Sequence, residues 1–156
     1  SGPGVGTAFG LGALAGAVLA AVMAVLSRQG GLCARYPAMR PARWTAGITV
    51  LDMGTWAVYL AAYEYLFRGV LLGVLWIVFG PLPALAVTAF VDALAHIPQG
   101  WPETLGAVFS ATLFGLMAFV TGGILASFIA HLAMAVSVDV FCVRVQSRAS
   151  VSRRDH

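Results

Sequence analysis

Residues 46–79 read AGITVLDMGTWAVYLAAYEYLFRGVLLGVLWIVF, an apolar run that is interrupted by Asp52, Glu64 and Arg68. As one helix this run would be about 51 Å long, whereas the hydrocarbon core of a bilayer is about 30 Å thick. A helix of that length must tilt, protrude or break, and no glycine or proline at residues 60–66 marks a break. The stretch therefore predicts one long membrane crossing that carries three charged side chains.

The whole chain shares this apolar character. Of its 156 residues, 60% are hydrophobic and 10% are charged, whereas typical globular domains are about 25% charged. This composition excludes a soluble cytosolic fold, a disordered tail, a nucleic-acid-binding protein and a disulfide-stapled secreted module. Because lipid tolerates only helices and closed barrels, and period-two alternation is absent, we expect an all-α transmembrane bundle of about five helices. The other four apolar segments are 7–26, 84–97, 103–120 and 124–143.

Arginines outside these segments predict the orientation of the bundle. Residues 28–43 and 144–154 contain four arginines each, and the positive-inside rule places both regions in the cytoplasm. Five crossings then put the N-terminus outside and the C-terminus inside. Cys33 and Cys142 fall near the cytoplasmic side, where the reducing environment argues against a disulfide. We divide the chain into an N-terminal helix with a basic loop (1–44), a membrane core (45–143) and a basic, frayed tail (144–156).

Ionisable residues inside the apolar segments are costly, at roughly 2.5–3.5 kcal/mol for a charge at the centre of a membrane helix. Residues four apart share one face of a helix, and residues eight apart still do. A single buried ion pair has a structural role as often as a functional one, because it fixes helix register. Three clusters favour a functional site, whereas Asp52 and Glu103 lie near helix ends and suit structural roles. The clusters are Glu64 with Arg68, Asp92 with His96, and His131 with Asp139.

Two kinds of chemistry suit these residues. A carboxylate with two imidazoles can activate water, with one histidine as general base and the other donating to an oxyanion. Alternatively, Glu64, His96 and His131 can hold a divalent metal such as Zn²⁺, although no H-E-x-x-H signature is present. We expect no other cofactor. No serine has the sequence context of a nucleophile.

Three short motifs in the predicted core carry a family resemblance. Residues 63–69 read YEYLFRG, residues 92–96 read DALAH and residues 131–135 read HLAMA. In this order they resemble the E-E-x-x-x-R, F-x-x-x-H and H-x-x-x-N motifs of the CPBP (or Abi) family. Its members are the CAAX-processing and bacteriocin-processing intramembrane glutamic endopeptidases. The resemblance covers roughly residues 45–143 and implies a bacterial cytoplasmic membrane protein.

The resemblance also implies a role for each matched residue. Glu64 and His96 would activate water, Arg68 would hold Glu64, and His131 would form the oxyanion hole. Three family positions differ: Tyr63 replaces the first Glu, Asp92 replaces the Phe and Ala135 replaces the Asn. We therefore expect Asp92 or Asp139 to supply a second carboxylate.

Two functions follow from this pattern of retained and replaced residues. The first is an endopeptidase that cleaves a peptide or a membrane-protein substrate within the bilayer. The alternative is a catalytically inactive subunit or assembly factor of a larger membrane complex. In that case the polar cluster would serve packing or binding, and the partners would be transmembrane helices.

Overall fold

The computed structural model describes residues 4–29, 31–41 and 43–152, and the regular structure within these ranges is helical, without a strand. The predicted all-α fold is therefore confirmed. A π-helical turn at Tyr65–Leu71 joins the second helix to the third, and short 3₁₀ helices occupy Ser27–Gln29, Leu32–Ala34 and Ile97–Gln99. The α-helices are α1 (Val5–Leu26), α2 (Ala46–Glu64), α3 (Leu72–Phe79), α4 (Pro81–Ala95), α5 (Trp101–Thr121) and α6 (Leu125–Ser152).

Four helical stretches in the described ranges are long and apolar enough to span a membrane. They are Val5–Gln29, Ala46–Phe79, Trp101–Thr121 and Leu125–Ser147. The remaining predicted segment, residues 84–97, corresponds to α4, which has only 15 residues and is about 22 Å long. It is therefore shorter than the hydrocarbon core of a bilayer and is not among the four stretches that could span one.

The long run at residues 46–79 does not break. Thr45 caps its start by accepting a hydrogen bond from the Ile48 N–H at 3.3 Å, and the chain stays helical to Phe79. The wider π-helical turn lies where Phe67 and Arg68 are buried, and such turns are frequent at functional sites. Gly80, with φ +81°, then reverses the chain directly into α4. The run is therefore one continuous helix, as a single long crossing would require.

α1 and α6 pack side by side in the same direction. A Cβ added to Gly12 would lie 2.7 Å from the Ala126 carbonyl oxygen, and one added to Gly16 would lie 2.8 Å from the Ala133 Cβ. Small residues at these positions let the two helices approach closely, which is a common basis of helix association in lipid. Both helices therefore finish at the same end of the bundle, which also carries the loop at 28–43. We call it the basic end.

The expectation that the two cysteines stay unpaired is wrong, because a disulfide joins Cys33 to Cys142. The 3₁₀ helix Leu32–Ala34 folds back onto α6, so residues far apart in the sequence meet at the basic end. The Gln146 amide supports this contact by donating to the Cys33 and Tyr36 carbonyl oxygens at 2.8 and 3.1 Å. A reducing compartment makes disulfides rare in general, but it does not determine whether two particular cysteines lie close together.

The C-terminal region also differs from the prediction. α6 continues beyond residue 143 and remains helical to Ser152, where a frayed tail was expected from Arg144. The predicted topology markers Arg153 and Arg154 lie outside the described residues.

Candidate active site

A buried guanidinium lies at the centre of the site. Arg68 Nη2 is 2.7 Å from Asp92 Oδ2, and Arg68 Nη1 is 3.4 Å from Glu64 Oε1. All three side chains are buried. Arg68 thus links carboxylates from two helices, α2 and α4, and joins two of the three predicted clusters.

His131 brings one member of the third cluster into the site from α6. Its Nδ1 lies 2.7 Å from Glu64 Oε1, and its ring stacks on Phe114 with the centroids 4.9 Å apart. A carboxylate only accepts hydrogen bonds, so the geometry assigns the Nδ1 proton to His131. Its Nε2 is then the ring atom left to meet a substrate.

His96 caps the C-terminal end of α4 and has a similar arrangement. Its Nδ1 lies 2.9 Å from the Asp92 backbone carbonyl oxygen and 3.5 Å from Asp92 Oδ1. Both neighbours are acceptors, so Nδ1 again carries the proton and Nε2 can act as a base. The i,i+4 spacing of Asp92 and His96 therefore does place them together, as predicted.

Tyr63, which is not one of the six predicted site residues, also belongs to the site, where it stands in place of the first Glu of the family motif. Its hydroxyl donates to Asp92 Oδ1 at 2.6 Å. Its ring stacks on Phe67 at a centroid distance of 4.4 Å and meets the His96 and His131 rings edge-on at 6.4 and 5.9 Å. The signal that could have identified it is its position, because it stands where the family has a catalytic carboxylate.

Asp139 contacts different residues from those of the other five predicted site residues. Its Oδ2 accepts a hydrogen bond from Trp56 Nε1 at 2.7 Å, and its carboxyl group faces that of Asp52. Both aspartates are buried. They form a second polar contact between α2 and α6. Glu103, expected to be structural, pairs with Arg35 at 3.7 Å.

A cavity of about 340 Å³ opens beside this cluster. Its wall includes Tyr63, Arg68, Asp92, His96 and His131, and the rest of the wall is mainly apolar and aromatic. Glu64 does not line the cavity and has no exposed surface, so it acts on the cavity only through Arg68 and His131. The arrangement offers two imidazoles and one carboxylate to a bound molecule.

The charges of the cluster partly offset one another. The Arg68 guanidinium lies within 4 Å of the carboxyl groups of both Glu64 and Asp92. Pairing of opposite charges lowers the cost of burying them in an apolar bundle. Among the described residues, no group of three or more His, Cys, Asp or Glu side chains is arranged to hold a metal ion.

Comparison with protein families gives one match, over residues 43–137, to the family described as type II CAAX prenyl endopeptidase Rce1-like. The matched region contains the whole cluster from Tyr63 to His131 and the three helical motifs quoted above. No curated protein and no solved structure gives a significant match to this chain. The family model covers more than half of the chain and its motifs meet at one cavity, so this CAAX-protease-like membrane protein belongs to the Rce1-like family.

Proposed function

We propose that this protein is an intramembrane endopeptidase of the bacterial cytoplasmic membrane. It hydrolyses a peptide bond of a peptide or membrane-protein substrate, using water activated by His96. The observation that carries the proposal is the pair of imidazoles on one cavity wall, each with Nδ1 bound to an acceptor. Each ring then has Nε2 available for proton transfer or hydrogen bonding.

His96 suits the role of general base. Its Nδ1 is held by a backbone carbonyl at 2.9 Å, which fixes the tautomer with an unprotonated Nε2. Asp92 Oδ1, 3.5 Å from Nδ1, balances the charge that forms when the ring takes up a proton. Asp92 therefore acts as the second carboxylate of the site.

His131 suits the role of oxyanion donor. Its contact with Glu64 at 2.7 Å gives a protonated ring a carboxylate partner, as in other carboxylate–histidine pairs. The family resemblance assigns Glu64 to water activation. Its burial behind His131 and Arg68 supports a positioning role instead, in which Glu64 orients His131.

The reaction then proceeds in two steps. Water attacks the carbonyl carbon of the substrate while one of its protons moves to His96 Nε2, and the oxyanion accepts a hydrogen bond from His131 Nε2. The C–N bond then breaks, and His96 returns the proton to the leaving amine nitrogen. The products are a free carboxyl group and a free amine.

The test compares two aspartates in purified protein that is incubated with peptides and membrane-protein segments. Asp92→Asn and His96→Ala should lower cleavage by about 10²–10⁴-fold, the usual contribution of general acid–base catalysis. Asp139→Asn, a matched change outside the cluster, should leave cleavage near the wild-type rate. Because we assign the chemistry to these side chains alone, cleavage should persist in a metal chelator.

Other outcomes would point to the alternative. If wild-type protein cleaves nothing and is recovered in a large membrane complex, the protein is an inactive subunit or assembly factor of that complex and not an endopeptidase. If Glu64→Gln leaves cleavage unchanged, Glu64 has no part in catalysis, neither through water nor through His131.

A further inference from the structure

A short segment at the basic end forms part of the cavity wall. We call residues Leu32–Tyr36 the cap. Leu32 and Tyr36 both line the cavity that His96 and His131 also line. The cap therefore borders the proposed reaction chamber, although it lies outside the family motifs.

The cap is attached to α6 by one covalent bond and two hydrogen bonds. Cys33 is joined to Cys142 on α6, and both cysteines are buried. The Gln146 amide donates to the Cys33 and Tyr36 carbonyl oxygens, so both halves of the cap are held against α6. Because a disulfide restrains the chain more strongly than two neutral hydrogen bonds, Cys33–Cys142 is the principal attachment.

Towards α5 the cap makes a weaker contact. Arg35 meets Glu103 of α5 at 3.7 Å, and the Arg35 side chain is 44% exposed. Exposed ion pairs contribute little stability. Tyr36 is half-buried, and this burial, together with the nearby carboxylates of Glu103 and Asp139, raises the pKa of its phenol to about 12.

We propose that the cap determines the size of substrate that this cavity admits, and that the Cys33–Cys142 disulfide sets its position. With the disulfide formed, Tyr36 narrows the cavity at the basic end and excludes bulky chains. With the disulfide absent, the cap moves away from α6 and bulky chains enter. The claim about substrates rests on the proposed endopeptidase function, whereas the claim about access does not.

The test measures access directly, with a single reporter thiol in the cavity. Ser110 lines the cavity and takes no part in the proposed chemistry, so Ser110→Cys reports entry. The reporter is placed in the wild-type background and in a background with Cys33→Ser and Cys142→Ser, and the protein is held in lipid nanodiscs. N-ethylmaleimide should label both at similar rates. A polyethylene-glycol maleimide should label the disulfide-free protein at least tenfold faster.

A matched control lies at the opposite end of the bundle. Gly123 is exposed, and a Cβ there would meet nothing within 4 Å. Gly123→Cys should therefore react with both reagents at rates that do not depend on the disulfide. Equal labelling of Ser110→Cys by the bulky reagent in the two backgrounds would overturn the proposal.

A second variant keeps the proposal testable if the protein without the disulfide does not fold. Tyr36→Ala leaves the disulfide in place and removes the ring from the wall, so it should also speed bulky labelling of Ser110→Cys. No acceleration in this variant would equally refute the cap. Labelling needs no catalysis. If the bulky reagent reacts faster in these variants although the wild-type protein cleaves no peptide, the proposed endopeptidase function fails and the proposal for the cap stands.

Discussion

Tyr63 and Asp92, two of the three departures from the family pattern, contact each other. At these positions the family resemblance has a glutamate and a phenylalanine, whereas this chain has a tyrosine and an aspartate that share a 2.6 Å hydrogen bond. Across the contact between α2 and α4, an aromatic residue therefore stands where the motif has an acid, and an acid stands where the motif has an aromatic residue. The Asp92 carboxylate lines the cavity and is bound by Arg68. Read singly, each replacement indicates a lost function, whereas the contact between the two leads us to expect that each compensates for the other.

The Tyr63 hydroxyl should contribute measurably to stability and cleavage through its bond to Asp92. Tyr63→Phe removes its bond to the Asp92 carboxylate, and bonds to charged groups are worth about 1.5–3 kcal/mol. We expect a lower melting temperature in detergent and slower cleavage. Tyr59→Phe is the control, because the contacts described for Tyr59 are with the rings of Trp56 and Tyr63. Equal melting temperatures for the two variants would contradict the assignment.

Arg68 should be the side chain whose loss costs most. Arg68→Leu leaves the buried carboxylates of Glu64 and Asp92 without their cation, and breaking a buried pair costs about 3–5 kcal/mol. Arg35→Leu also removes an arginine from an ion pair, but that pair is partly exposed and should cost about 0–1 kcal/mol. Denaturant unfolding of the two variants in detergent checks the contrast. A similar loss in both would mean that burial does not decide the effect.

Tyr36 should make the protein sensitive to alkaline conditions. Its pKa rises from 10.0 to about 12, chiefly because the phenol is buried. Above pH 10 the unfolded chain loses this proton while the folded protein keeps it, so the stability linked to Tyr36 is full below pH 10 and falls towards pH 12. Tyr36→Phe should lose less stability than wild type between pH 9 and pH 11.5. Parallel curves for the two proteins would contradict this.

At the scale of elements, the sequence predicts helices better than their contacts. Apolar length identified the crossing at residues 46–79, and i,i+4 spacing correctly paired Glu64 with Arg68. The π-helical turn at Tyr65–Leu71 was not predicted, because no residue type there requires it. The distinct position of Asp139 also escaped prediction, since sharing a helix face with His131 does not determine which neighbour that face meets.

The α1–α6 contact should depend on glycine at one helix position and not at another. Gly12→Ala would bring a Cβ within 2.7 Å of the Ala126 carbonyl oxygen and 2.9 Å of the Ile129 Cβ. Such overpacking costs about 1–3 kcal/mol. A Cβ at Gly10, on the same helix, would meet nothing within 4 Å, so Gly10→Ala should be neutral or slightly stabilising. Thermal unfolding in detergent measures both, and a destabilised Gly10→Ala would argue against close packing as the cause.

For the whole molecule, composition identified the membrane class, whereas the meeting of distant residues needed the structure. The disulfide is the clearest case: Cys33 and Cys142 are 109 residues apart in sequence. They meet because α1 and α6 run in the same direction and the loop between α1 and α2 folds back. Nothing in either local sequence encodes that return. The site around Arg68 shows the same limit, since spacing gave pairs within helices and only packing joined them.

Two features of the basic end favour opposite sides of the membrane. Exposed arginines at the basic end favour the cytoplasm, yet the same end carries a disulfide, which favours an oxidising compartment. We expect the basic end to face the cytoplasm, because Arg28, Arg35, Arg40, Arg43 and Arg144 are all exposed there. Both cysteines are buried, and buried cysteines react slowly with reagents in solution.

This choice can be measured on intact cells with a membrane-impermeant maleimide. If the basic end is cytoplasmic, Gly123→Cys at the opposite end should be labelled from outside. Arg43→Cys, at an exposed position of the basic end, should be labelled only after lysis. The buried disulfide should remain formed in both variants, as shown by mass spectrometry after alkylation. Labelling of the Arg43 position in intact cells would reverse the orientation and place the cap, with its disulfide, on the oxidising side of the membrane.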